Sequence, residues 1–173
     1  MQIIIVVQSL CKDMNSNVDL YKGNSIRTLS KIVDGSMLGQ IERYVRQAIV
    51  DPNPLVSSAA LMCGLQLVHK APDVVRRWAS ETQTAMSGKS GHMVQFHALA
   101  LLHRLRANDP HAIVRLTSQL RKADVRSPMA LCLLIRFTSR LLRSSDADKA
   151  EAYAFLDKCL RHKSDMVILE AAR

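Results

Sequence analysis

Aromatic side chains are scarce in this 173-residue chain: three Phe, three Tyr and one Trp amount to 4% of it. Nucleic-acid-binding solenoids usually need stacking aromatics beside clustered Lys and Arg, so this scarcity speaks against one. Glycine (6) and proline (5) are also sparse, while Leu, Ala, Val, Ile and Met are plentiful, a balance that favours an all-helical protein. The four cysteines, Cys11, Cys63, Cys132 and Cys159, lie far apart, form no C-x-x-C pair and sit among apolar residues. They read as reduced core thiols of a cytosolic protein. No N-x-[ST] sequon argues for the secretory lumen. Long hydrophobic runs are missing too. The N-terminal "MQIIIVVQSL" has an apolar stretch of only five residues, no basic flank and no small-residue cleavage site, so it is not a signal peptide. No segment reaches the roughly 18–20 apolar residues of a membrane span. Acidic residues are in deficit, 15 against 24 basic, giving a net charge of +9. Acidic partners are therefore attractive in principle, but the basic residues are dispersed rather than clustered.

What the chain does hold is helical periodicity. Segments at about 2–13, 20–33, 36–50, 54–70, 72–86, 91–107, 109–122, 128–144 and 147–162 follow one another, and a last one opens at Asp165. Turn punctuation separates them: "DGS" at 34–36, "DPNP" at 51–54, "APD" at 71–73, "SGKSG" at 87–91, "NDP" at 108–110 and "SP" at 127–128. Two kinds of helix alternate. In 36–50, 72–86 and 109–122 the apolar residues fall on one stripe. In 91–107 and 128–144 they cover most of the circumference, which requires burial on most sides.

Aligning "PLVSSAAL", "HMVQFHAL", "PMALCLLI" and "DMVILEAA" puts Val56, Val94, Ala130 and Val167 in register, 38, 36 and 37 residues apart. A helix pair recurring every 36–38 residues predicts an α-solenoid of HEAT- or armadillo-like repeats. Residues 1–173 read as one such segment, with apolar sequence at both ends and no polar capping repeat, as expected of a piece of a longer trunk.

Catalytic and metal sites fail one by one. His92, His97 and His103 share a helix, but His97 points roughly 140° from His92, and His103 lies roughly 16 Å along the axis. They cannot meet one ion about 2 Å away, and read as polar positions in the seams of a buried helix. "SGKSG" lacks the upstream glycine and the strand of a P-loop, and "SSDAD" (144–148) reads as a helix cap. No G-x-S-x-G, H-E-x-x-H or EF-hand pattern occurs, and no cofactor is implied. One charged feature stands out. Arg136, Arg140 and Arg143 sit at i, i+4 and i+7, and Arg104 lies one 36-residue repeat before Arg140. Stacked repeats would align these four on the exposed strip of the inner helices, where they would meet an acidic partner segment or simply keep the strip solvated.

The stretches "YKGNSIRTLSKIVDGSML" (21–38), "IERYVRQAIVDPNPLVSSAAL" (41–61), "DVVRRW" (73–78) and "MVQFHALALLHRLRAND" (93–109) resemble the coatomer gamma-subunit family. "SLCKDM" (9–14) and "SDMVILEAAR" (164–173) extend the resemblance almost end to end. Asn24 and Ser25 stand where the family tends to have Pro-Ala, and 126–137 fits more loosely. The resemblance implies a structural component of the COPI vesicle coat, not an enzyme, and an N-terminal, adaptin-like part of its trunk. It implies the coatomer zeta, beta and delta subunits, a GTP-bound Arf-family GTPase and cargo tails as partners. It also implies a cytoplasmic location, peripheral on Golgi and vesicle membranes, and transport from Golgi to ER and within the Golgi. A clathrin-adaptor large chain shares the trunk architecture and is the nearest rival. A basic nucleic-acid-binding solenoid is the rival from another class, and the dispersed charge and missing aromatics speak against it.

Overall fold

The computed structural model describes residues 2–34, 37–87, 91–107, 109–122, 125–144 and 149–173. Among them are eleven α-helices and no strand. They run α1 (Gln2–Met14), α2 (Asp19–Ile32), α3 (Leu38–Ile49), α4 (Pro54–Leu67), α5 (Pro72–Arg76), α6 (Ala79–Ser87), α7 (His92–Leu105), α8 (Pro110–Lys122), α9 (Pro128–Ser144), α10 (Lys149–Leu160) and α11 (Asp165–Ala172). The chain divides into two compact units, Met1–Leu105 and Arg106–Arg173.

Local chemistry explains where the helices begin. Asn53 precedes Pro54 and accepts from the Leu55 N–H at 2.9 Å. Asp109 precedes Pro110 and accepts from the Ala112 N–H at 3.0 Å. Ser127 precedes Pro128, its hydroxyl oxygen 3.3 Å from the Ala130 N–H. In each case a polar cap satisfies a free donor, while proline supplies a φ suited to the first turn and has no N–H to leave unsatisfied.

In the first unit α2, α4 and α7 lie side by side as a layer of inner helices, covered by α1, α3 and the α5–α6 pair. Burial follows the alternation read from sequence. In α3 the stripe Leu38, Ile41, Val45, Ala48 and Ile49 is buried. In α4, Val56, Ser57, Ala59, Ala60, Leu61, Cys63, Gly64 and Leu67 are buried. Gly64 is required by packing: a Cβ there would meet Leu101 Cδ2 at 2.8 Å and the Trp78 ring at 3.5 Å. In the second unit α9 packs on α8 and α11, and α10 on α11. One cluster of its core joins Leu131, Cys132, Ile135, Cys159 and Val167, with Val125, Phe155, Leu156 and Ala171 partly buried against them, and Leu116, Ala130 and Leu134 are buried as well.

One helix differs from the sequence expectation. The segment 72–86 is two helices, broken at Arg77–Trp78, where the backbone tightens to i→i−3 bonds from Arg77 N–H to the Val74 carbonyl and from Trp78 N–H to the Val75 carbonyl. The break accompanies complete burial of the Trp78 indole, whose ring packs beside Gly64 and Leu101. The "SGKSG" turn and the "SSDAD" cap fall largely at 88–90 and 145–148, outside the described residues. The helix N-terminal to each inner helix is otherwise as expected, so each unit is a stack of helix pairs.

Candidate protein-interaction surface

Polar contacts between successive helix pairs run at about one repeat spacing. Arg77 Nε donates to Glu42 Oε1 at 3.0 Å, and Arg46 Nε to Glu81 Oε1 at 2.9 Å, each across 35 residues. Asn53 Nδ2 donates to Asp19 Oδ2 at 2.6 Å across 34 residues, and Lys70 Nζ to the Val33 carbonyl at 3.3 Å across 37. In the second unit Arg136 grips Glu170 with two bonds, Nε to Oε1 at 2.7 Å and Nη2 to Oε2 at 2.9 Å, across 34 residues. These pairs hold the carboxylates below their ordinary range. For Glu42 and Glu170 the leading cause is the hydrogen bond from the arginine. For Asp19 it is the bond from Asn53, followed by that from Lys22. At Glu81 burial pushes upward, and bonds from Arg46 and Ser80 outweigh it.

The sequence placed four arginines on one strip, and the structure divides them by what they do. Arg104 belongs to α7 in the first unit; Arg136, Arg140 and Arg143 share one face of α9 in the second. All four are exposed. Arg136 is committed to Glu170, and Arg104 Nη2 sits 2.9 Å from His69 Nε2, which accepts when that imidazole is neutral. Among the described residues Arg140 and Arg143 are in no ion pair. Sequence reasoning missed the repeat-to-repeat pairs. The signal was present: Glu42 and Arg77, Arg46 and Glu81, and Arg136 and Glu170 are opposite charges one repeat apart.

The histidine cluster resolves differently at each position. His97 is buried, its Nδ1 2.8 Å from the Ser58 hydroxyl, and burial pushes its pKa down. His92 is exposed and His103 half-buried. Among the described residues no three His, Cys, Asp or Glu side chains could hold a metal ion. Cys63, Cys132 and Cys159 are buried and Cys11 is half-buried; all are free thiols. Burial raises each of their pKa values, that of Cys63 to about 12, so they stay protonated and weakly nucleophilic at neutral pH. The second unit carries an open depression of about 780 Å³, bordered by Arg121, Lys158, Arg161 and Lys163. Arg121 donates to Ser118 there and Arg161 pairs with Asp157 at 3.1 Å. These cations lie at or just past the C-termini of α8 and α10, where they offset the helix dipoles. Among the described residues no helix is long and apolar enough to cross a membrane.

Each unit is a stack of helix pairs, tied repeat to repeat, with exposed strips on its inner helices. Comparison with known proteins agrees. The model of the adaptin N terminal region matches residues 2–173. Coatomer subunit gamma of Arabidopsis thaliana is 53% identical over 176 aligned residues, covering 99% of this chain and 20% of that protein. The probable coatomer subunit gamma of Caenorhabditis elegans is 50% identical, covering 99% of this chain and 20% of its own length. Coatomer subunit gamma of Drosophila melanogaster is 45% identical, covering 98% and 20%. The chain thus spans about one fifth of the length of these relatives. With the family model matched along nearly its whole length, the chain belongs to the adaptin N-terminal region family.

Proposed function

We propose that this chain is a structural segment of a COPI coat subunit of the gamma type, a protein-interaction scaffold rather than a catalyst. The observation that carries the reading is an identity of 45–53% to coatomer gamma subunits of plants, a nematode and an insect, held over 98–99% of the chain. Stacked helix pairs suit such a role, since they offer many contacts along an extended surface and need no pocket. Residues 1–173 act as one stretch of a longer trunk in this reading. The partners are the zeta, beta and delta subunits, a GTP-bound Arf-family GTPase and cargo tails. The place of action is the cytosolic face of Golgi and vesicle membranes, reached through the complex and aided by the net charge of +9. Arg104 on the first unit, and Arg140 and Arg143 on the second, are exposed side chains able to meet an acidic partner, and Arg136 is held back by Glu170.

The test is recovery of partners on tagged chain from cytosol, with and without nuclease, read by mass spectrometry. Enrichment of zeta, beta or delta subunits or an Arf-family GTPase, unaffected by nuclease, is expected. Recovery of nuclease-sensitive ribonucleoproteins without any coat subunit would overturn the proposal in favour of a nucleic-acid-binding solenoid. Preference for a clathrin-adaptor small chain over zeta would move it to the clathrin-adaptor branch.

A further inference from the structure

The inner helices of the first unit repeat one exposed pattern. Each has a large apolar residue at its second position: Leu20 in α2, Leu55 in α4 and Met93 in α7, spaced by one repeat. These are 55%, 37% and 46% exposed, and Met62, two turns further along α4, is 36% exposed. Successive 100° steps put Leu20, Asn24, Arg27 and Lys31 on one stripe of α2. They put Leu55, Met62 and Gln66 on the matching stripe of α4, and Met93 and Arg104 on that of α7. Since α2 packs on α4 and α4 on α7, the three stripes form one surface. Its apolar row lies toward the helix N-termini and its cationic row, Arg27, Lys31 and Arg104, toward the C-termini. No acidic residue falls on the three stripes. The nearest acids, Asp19 and Asp51, lie at the N-terminal edge and are already engaged by Lys22 and Asn53.

We infer that this strip of the first unit is a docking surface for an amphipathic helix of a partner protein, apolar on the docking face and acidic along one flank. The spacing selects a helix laid across α2, α4 and α7. Neighbouring packed helices lie about 8–10 Å apart, and residues seven apart on a helix are separated by about 10.5 Å. Every seventh residue of the partner therefore meets Leu20, Leu55 and Met93 in turn. A helix is roughly 10–12 Å wide with its side chains, so its flank lies about 5–6 Å from the apolar row. Arg27, about 10.5 Å along α2 from Leu20, leans back to meet it, and Lys31 and Arg104, about 16.5 Å along, add positive field behind it. The charge of the row decides the sign of that flank. The inference rests on the reading of the chain as an interaction scaffold and names the chemistry of one partner.

The test uses the full chain and a designed, fluorophore-labelled peptide of about 20 residues, helical, with Leu at every seventh position and Glu along one flank. A second peptide carries Lys in place of those Glu residues. Fluorescence anisotropy should show the acidic peptide binding at least about tenfold more tightly. Arg27→Glu combined with Lys31→Glu should invert that preference, and gained affinity for the Lys peptide cannot come from misfolding. Leu20→Ser combined with Met93→Ser should weaken both peptides at least about tenfold, with helical circular dichroism unchanged. Equal binding of both peptides, or a preference unmoved by the charge reversal, would overturn the inference. So would tight binding of single-stranded RNA untouched by the two Ser substitutions, which would assign the cationic row to a polyanion. Self-association of the chain abolished by those substitutions would assign the strip to a second copy and overturn it as well. Failure of the peptide with coat subunits still recovered on the chain sinks this inference alone; binding of the peptide without any coat subunit sinks the coat reading alone.

Discussion

The two units solve the same packing problem with different margins. In the first, the inner layer is three helices deep, and Trp78, Leu61, Leu67, Leu99, Leu101 and Leu102 are buried to 0% exposure. In the second, two inner helices share a core in which Leu116, Ala130, Leu134, Ile135 and Val167 are at most 1% exposed, while Leu131, Cys132 and Phe137 keep 8–9% and Phe155 and Leu156 are only partly covered. Burying a Leu or Phe side chain contributes roughly 1.5–3 kcal/mol, so half-buried members contribute correspondingly less. Polar ties run between helix pairs in both units. The first joins its pairs through Arg46–Glu81, Arg77–Glu42 and Asp19–Asn53; in the second Arg136–Glu170 ties α9 to α11 and Arg121 lies 4.0 Å from Glu151. A repeat architecture is stable in proportion to what its interfaces bury, and here adjacent stretches of one chain differ in that quantity.

The largest effect should come from the best-packed point. Trp78→Ala removes a wholly buried indole whose neighbours Gly64 and Leu101 cannot close the gap, and should cost about 3–5 kcal/mol. Chemical denaturation, with hydrogen exchange followed in α4, α6 and α7, measures it. A loss below about 1 kcal/mol would mean that the α5–α6 break is not set by the indole. Ile135→Ala in α9 should cost less, about 2–3 kcal/mol, near the lower end for its class. Ile135 is 1% exposed, but its surroundings include partly covered groups that can relax. An Ile135 loss exceeding that of Trp78 would reverse the ranking of the two cores.

Much of this was legible in the sequence. Val56, Val94, Ala130 and Val167, aligned by spacing alone, are all buried at matching places on inner helices. The apolar stripes of 36–50 and 109–122 face inward, because a period of 3.6 residues determines one face whatever the partner. The break at Arg77–Trp78 was not legible, since nothing in "VVRRWAS" forbids a continuous helix; it accompanies the packing of Trp78 beside Gly64 of α4, a contact between distant parts of the sequence. His97 read correctly as a seam position, but its partner Ser58 lies 39 residues away on another helix. Arg136 read as a free member of a basic strip because Glu170 was considered apart from it. Charge partners in a solenoid sit one repeat away, so they emerge only when charges are compared at the repeat spacing.

Acid should narrow the contrast, since most of the shifted groups belong to the first unit. His97 is kept neutral by burial, so its folded pKa lies below its unfolded one. Below about pH 6.5 the unfolded chain takes up a proton that the folded chain resists, and stability falls with pH until the folded pKa is passed. Asp19, Glu42 and Glu81 are held below their ordinary values, so their contribution is intact above about pH 4.5 and is lost as acid titrates them in the folded state. Denaturation of the first unit at pH 7 and pH 5 should therefore differ in wild type and differ less in His97→Gln. An unchanged pH dependence in that variant would remove His97 from the account. Glu81→Gln, tested at neutral pH, should cost only about 0.5–1 kcal/mol, because its partner Arg46 is partly exposed and screened.

The smallest expected effect separates two arginines one helical turn apart. Arg136 holds a carboxylate on the neighbouring helix with both arms of its guanidinium, while Arg140, exposed on the same face, is in no ion pair among the described residues. Replacing Arg136 by Gln strands Glu170, whose side chain is only 17% exposed. That change should lower the melting temperature in dilute buffer, and the deficit should shrink as salt is added. Arg140→Gln should leave stability within about 0.5 kcal/mol at any salt concentration, as surface positions without a partner do. The two variants remove the same charge from the same face, so any purely electrostatic role of that face would weaken equally in both. If partner binding falls in Arg140→Gln while the melting temperature does not, Arg140 serves recognition and Arg136 serves the join between α9 and α11. Equal stability losses in the two would mean that the α9 arginines work as one solvated stripe, and the division read from Glu170 would not stand.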